Sequence, residues 1–338
     1  MKKKLNIEPV SPTDEEKSMV NGSVPRSERE TSGIVSRYKK YQSAGTASIS
    51  FGLIKKNYEN AIEYTGIAKG TRGVLMLTGL LAACFTFWGG QDILFRMLNR
   101  ESDGLFDVIP VVAVIACFAI GSYMGIKYTR FELFRPEDEP TIFDRKNRKV
   151  YRIFRETYSG WRGLFLPWPL KSAEYDWDLV DAEHQAAVTT TGSTVNRIHA
   201  LIFLVRKSAD DPTIVDSFTI GNSMQMGEVT VPAVWEHIRR FMEEDGPHLA
   251  PGEVLQSFDP PKGFLQCMAA TGPYGKNFRS WWRDHPLLMV MGLVFFPIVF
   301  PLMTLVGIFS WLSYKTAIPI KWSAAVLAAV GPAVKQTK

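Results

Sequence analysis

The sequence predicts an α+β membrane protein: transmembrane helices plus one soluble antiparallel β domain capped by a C-terminal helix. Two observations carry this. Apolar residues are gathered into three blocks, and Lys and Arg are absent from residues 73–95, 101–126 and 284–314. Between the second and third blocks lies a charged stretch of short alternating runs that ends in an amphipathic one. The averages conceal this partition, because 22% charged residues and a mean hydropathy of −0.03 would suit an ordinary soluble chain.

The first 47 residues are rich in Ser, Thr, Pro, Glu and Lys and poor in large apolar side chains. They cannot offset the entropy of ordering, so a disordered basic tail is expected. Residues 1–72 hold 13 Lys/Arg against 8 Asp/Glu, whereas residues 127–284 hold 20 against 22. The net charge of +5 therefore belongs to the ends of the chain and reads as membrane topology rather than nucleic-acid binding. Met1-Lys2-Lys3-Lys4 imitates the start of a signal peptide, but the polar residues after it supply no apolar core for one. Residues 48–72 carry Ile49, Phe51, Leu53, Ile54, Tyr58, Ile62 and Ile67 at loosely helical spacing and read as a juxtamembrane linker.

Residues 73–126 read as a transmembrane hairpin. Crossing about 30 Å of hydrocarbon takes roughly 20 mostly apolar residues, and both arms satisfy this. Neither arm has the polar face that a helix in a soluble core would show. Residues 286–314 form a third apolar segment, flanked by Trp281, Trp282 and Arg283 before it and by Trp311, Tyr314 and Lys315 at its end. Pro297 and Pro301 interrupt its middle, which predicts either a kinked span or a re-entrant turn. Lys127, Arg130, Lys276, Arg279 and Arg283 border the soluble part. The positive-inside rule then places that part and the N-terminal tail in the cytoplasm of a multi-pass inner-membrane protein. Three full spans would leave the tail at 315–338, with Lys315, Lys321, Lys335 and Lys338, on the opposite side and against the rule. A re-entrant third segment, or a weak fourth span, would bring it back.

The soluble part, residues 127–247, reads as strands followed by one helix, with 248–285 as a linker and interfacial segment. Residues 141–154 predict a hairpin turning at 144–148, and further strands are expected near 174–180, 186–190, 198–206 and 214–220. Val231, Val234, Trp235, Ile238, Phe241 and Met242 then recur at helical spacing, with Pro232 in the first turn and Gly246-Pro247 as the stop. This order of strands and helix is pleckstrin-homology-like, and domains of that kind bind lipids or peptides without a shared chemistry.

Few residues point to chemistry. Asp176, Asp178, Asp181, Glu183 and His184 surround Trp177 and could serve a metal or acid–base catalysis. On a strand, though, Asp176 and Asp178 would share a solvated face opposite a buried Trp177. The binding candidates are Arg145, Lys146, Arg148 and Lys149 at the hairpin turn, with Arg239 and Arg240 on the terminal helix. All six suit anionic lipid or a protein partner. Glu236 and Arg240 are spaced to pair on an exposed helix face. The run from Ala270 to Asn277 lacks the first Gly and the Ser/Thr of a phosphate-binding loop. Cys84, Cys117 and Cys267 make neither a disulfide framework nor a zinc site. No cofactor or metal is expected, and no nucleic-acid partner; a protein partner is.

Pro140, Thr141, Phe143, Asp144, Arg145, Lys146, Arg148, Lys149, Val150 and Tyr151 are followed by Tyr175, Asp176, Trp177 and Asp178. Trp235, Glu236, Ile238, Arg239, Arg240, Phe241, Gly246 and Pro247 come after them. In this order the residues resemble a domain-of-unknown-function family of proteobacterial inner-membrane proteins, over roughly residues 128–322. The resemblance implies an association with type VI secretion, as an accessory or immunity factor for a secreted toxin, and brings no catalytic residues. The alternatives are a membrane-anchored lipid-binding or signalling module, and an enzyme using the carboxylate–histidine cluster.

Overall fold

The computed structural model describes residues 33–66, 72–99, 108–158, 160–191, 194–221, 226–255, 261, 263–268 and 278–334. Most of the predicted disordered tail (1–32) and the 270–277 run lie outside these residues. In chain order the elements are β1 (Ile34–Tyr38), β2 (Ile54–Asn57), β3 (Ala61–Tyr64), α1 (Val74–Leu98), α2 (Val108–Glu132), β4 (Thr141–Asp144) and β5 (Lys149–Arg155). There follow α3 (Arg162–Phe165), β6 (Leu170–Asp176), a 3-10 turn (Trp177–Leu179), β7 (Val180–Thr191), β8 (Thr194–Arg206), β9 (Ile214–Thr219) and α4 (Thr230–Glu243). The last five are α5 (Phe264–Met268), α6 (Phe278–Asp284), α7 (Pro286–Val294), α8 (Phe296–Thr316) and α9 (Ala324–Val330).

Three helices, α1, α2 and α8, are long and apolar enough to cross a membrane. Helices α1 and α2 lie side by side as the expected hairpin. Their approach depends on small residues: a Cβ at Gly121 would fall 2.3 Å from the Thr86 hydroxyl, so a larger residue there would force the helices apart. The third apolar segment is broken at Phe295 into α7 and α8, two residues before Pro297 and six before Pro301.

The β part is two antiparallel sheets, ordered β2-β3-β4-β5-β6 and β1-β7-β8-β9. Their inner faces and α4 enclose Ile54, Ile62, Tyr64, Phe143, Trp177, Phe203, Trp235 and Phe241. Trp177 stacks on Trp235 at 6.0 Å, and Phe203 on Phe218 at 5.0 Å. The strand expected over 174–180 stops at Asp176, where the 3-10 turn carries the chain from one sheet to the other.

Two boundaries differ from the sequence reading. Residues 48–72, taken for a linker, supply β2 and β3, and β1 within the tail pairs with β7. These strands are four or five residues long, and β1 and β3 take ladder partners far along the chain, so local periodicity did not reveal them. The C-terminal tail is also structured. Helix α9 lays Val326 and Val330 on Tyr58, Ala61, Ile142 and Tyr151, covering the outer face of the five-stranded sheet. Ala333 then bridges Tyr58, which places the end of the described chain on the β domain.

The sheet has a membrane end and a far end. Arg72, just before α1, donates to the carbonyl of Pro136 and lies 5.0 Å over the Tyr314 ring. Ser313 of α8 donates to Glu132 at the end of α2 at 3.2 Å, and Arg155 at the end of β5 donates to the Phe131 carbonyl at 2.5 Å. The other end of β5, at Lys149, lies about 20 Å away at ~3.3 Å per residue.

Candidate functional site

At the far end of the domain the β4–β5 turn, with Arg145 and Arg148, docks on the end of α4. Asp144 shapes the turn by accepting the backbone N–H groups of Lys146 and Asn147 at 3.1 and 3.2 Å. Arg148 sits in the left-handed region at φ 51°. Its guanidinium is shared between Asp178 at 2.6 Å and Glu243 at 3.2 Å. These hydrogen bonds raise its pKa further and hold the Asp178 carboxyl below the usual carboxylate range. Glu243 also accepts the Trp177 indole N–H at 2.6 Å. Arg145 pairs with Asp245 at 2.6 Å and lies over the Phe241 ring, and Lys149 pairs with Glu174. Lys146 is exposed.

Arg239 and Arg240 do not line a solvated helix face. Glu236, between them and β1, is fully buried. It accepts Arg239 at 2.7 Å, Arg240 at 2.6 Å, the Ser43 hydroxyl at 3.0 Å and the Ala44 N–H at 3.0 Å. Burial opposes its ionisation, yet these hydrogen bonds outweigh that and bring its pKa down to about 2. The amphipathic spacing identified only the face of α4 that meets the sheets. Residues 43–49 cross the opposite face, where Ile49 N–H donates to the Ala233 carbonyl at 3.3 Å.

The carboxylate–histidine cluster is dispersed. The 3-10 turn separates Asp176 from Asp178, which therefore do not share a strand face; Trp177 is buried as expected. Asp181 pairs with Arg206 at 3.3 Å, and the buried Glu183 with Arg37 at 3.1 Å. His184 turns inward to His199, with their ring nitrogens 2.8 Å apart. Among the described residues no three His, Cys, Asp or Glu side chains are grouped to hold a metal. Deeper in the core, His237 Nδ1 meets the Tyr64 hydroxyl at 2.8 Å, and burial pushes the His237 pKa down to about 4.

A family model described as a family of unknown function (DUF6708) matches residues 118–329. The chain belongs to this family. The DUF6708 match begins inside α2 and ends inside α9, so it takes in β4 to β9, α4 and α8 and leaves out β1, β2, β3 and α1. No curated protein and no solved structure matches the chain.

The membrane end is a feature that sequence reading missed. Between β5 and β6, residues 161–168 run along the end of α2. Trp161 packs on Tyr123 at 5.1 Å and Trp168 on Phe131 at 6.0 Å. Arg130 donates to the Leu166 carbonyl at 2.8 Å, and the Trp168 indole N–H to the Gly163 carbonyl at 3.1 Å. The signal was three aromatics, Trp161, Phe165 and Trp168, in eight residues that neither helix nor strand periodicity explains.

Proposed function

We propose that this DUF6708 protein is a non-enzymatic, multi-pass inner-membrane protein whose pleckstrin-homology-like domain binds a protein partner in the cytoplasm, as an accessory or immunity factor for a toxin of type VI secretion. One observation carries the non-enzymatic part. Of the predicted cluster, Asp178, Asp181 and Glu183 are engaged in ion pairs within the chain, His184 turns to His199, and Asp176 is separated from Asp178 by the 3-10 turn, so these side chains do not converge. The secretion link rests on the resemblance of the residues around Pro140, Trp177 and Trp235.

The contacts also support a topology. Cβ of a side chain at Gly307 would meet Met268 at 2.3 Å, and Ser310 lies against Gly73 at the start of α1. Ser313, near the end of α8, donates to Glu132 at the end of α2, and α9 packs on the five-stranded sheet, so residues 313–334 lie on the domain's side of the apolar helices. That side is cytoplasmic by the positive-inside rule.

The test is co-expression with the type VI secretion toxins of the same genome, one at a time, followed by detergent purification. Protection of the cells and a stoichiometric complex are expected, both surviving Asp178→Ala. Unprotected cells and a partnerless protein would remove the immunity reading. Loss of protection in a folded Asp178→Ala variant would restore the enzyme.

A further inference from the structure

We infer that residues 161–168 are a membrane-inserting wedge, which takes phospholipid at the boundary between headgroups and acyl chains; the inference rests on the membrane reading above. The segment is built rather than slack. A Cβ at Gly163 would lie 2.0 Å from the Tyr158 carbonyl, so this tight turn admits only glycine without rearrangement. Leu164 is buried beneath the turn, and Trp168 and Arg130 tie it to α2. Against that fixed base, Trp161 is 63% and Phe165 81% exposed, and Leu166 is exposed beside them.

Its depth follows from its neighbour. Tyr123 lies four residues before Lys127, the first cation after the apolar run of α2, and hence ~6 Å further toward the hydrocarbon. Lys127 Nζ reaches back to the Tyr123 hydroxyl at 3.1 Å, and Trp161 packs on the Tyr123 ring, so an aromatic and a cation meet at one depth. Lys127 donates to Tyr123, Arg130 donates to the Leu166 carbonyl, and Arg162 is exposed beside Trp161, so cations accompany the aromatics along this segment. Aromatics facing apolar chains with cations beside them match the two-layer chemistry of an interface. An aqueous protein surface would leave Phe165 and Trp161 in water, at a cost that grows with their area.

Nitroxide labels test this in the full chain, reconstituted into phosphatidylcholine–phosphatidylglycerol vesicles, with Cys84, Cys117 and Cys267 replaced by Ala. The labelled variants are Phe165→Cys, Lys146→Cys at the far turn and Ile115→Cys within α2. The ratio of oxygen to nickel-chelate collisions at position 165 is expected to exceed that at 146 and to fall below that at 115. A ratio at 165 equal to that at 146 overturns the wedge. Low collision rates with both reagents at 165 also overturn it, since the site would then be covered by protein, a second copy included. A water-like ratio at position 115 would instead refute the membrane reading on which the wedge rests. The aqueous signal at 146 is the reference for a site outside the bilayer.

Discussion

At the far end of β5, Arg148 is divided between Asp178 and Glu243, and Arg145 lies between Asp245 and the Phe241 ring. At its membrane end, Arg155 lies 4.7 Å over Trp168, and Arg130 5.7 Å over the same ring, while Trp161 and Phe165 stay uncovered. Both ends are basic in sequence. The first has its charges answered by acids of the same chain; the second pairs cations with aromatics and leaves apolar surface for something outside the chain. A basic run on its own is thus a poor guide to a lipid contact, because partners distant in sequence decide whether its charge is available. Distance reinforces the point: at about 20 Å from the membrane end, the turn is beyond the ~8 Å screening length of physiological salt.

The largest expected effect separates two tryptophans. Trp177 is fully buried and donates to Glu243, so Trp177→Ala should cost about 3–5 kcal/mol in thermal unfolding of the detergent-solubilised chain. Trp161→Ala should change stability by less than ~0.5 kcal/mol, because it opens no cavity. Comparable losses at both sites would break the contrast between the ends.

Acid titration divides the domain next. The His237 pKa is near 4 in the fold against 6.5 when exposed, so the unfolded chain takes up the proton first. Stability from this group is complete above about pH 6.5 and falls as pH drops through 4, by about 3 kcal/mol in all. His237→Gln should flatten that part of the profile. Asp178 has its pKa lowered from 3.8, so the far-end pairing contributes above that value and is lost only as pH falls below it. A single transition near pH 4, with no earlier slope, would contradict the order.

The smallest effect is at the turn itself. Arg148 is partly exposed, and Arg148→Ala should cost about 1 kcal/mol or less. Binding of the reconstituted chain to added anionic vesicles should be unchanged by it. A salt-dependent loss of vesicle binding would return the lipid role to the far turn.

The sequence made the membrane hairpin legible because twenty-odd apolar residues without a cation leave few alternatives. The 141–154 hairpin was legible for a similar reason: Asp144 and the residues after it carry their own turn chemistry. What stayed hidden depended on tertiary partners. Ile54 and Ile62 are spaced as on a helix, yet they become strand residues because β4 supplies the ladder beside β3. Glu236 read as exposed because the chain that covers it precedes it by almost two hundred positions. The turn and the end of α4 do come together, but the acidic neighbours that engage their arginines could not be seen from spacing.

The order of strands in the five-stranded sheet sets a schedule for synthesis. β2 and β3 leave the ribosome before the first membrane helix, whereas β4, against which they pair, follows the second. The sheet can close only after the intervening helical hairpin has been made and its two ends have come together. Helix α9, made last, then seals the outer face. A chain whose hairpin failed to insert would hold an early pair of strands without their neighbour and an apolar face without its cover. Such a product would be a natural substrate for quality-control proteases, so completion of the sheet acts as a check that the membrane helices have been correctly placed.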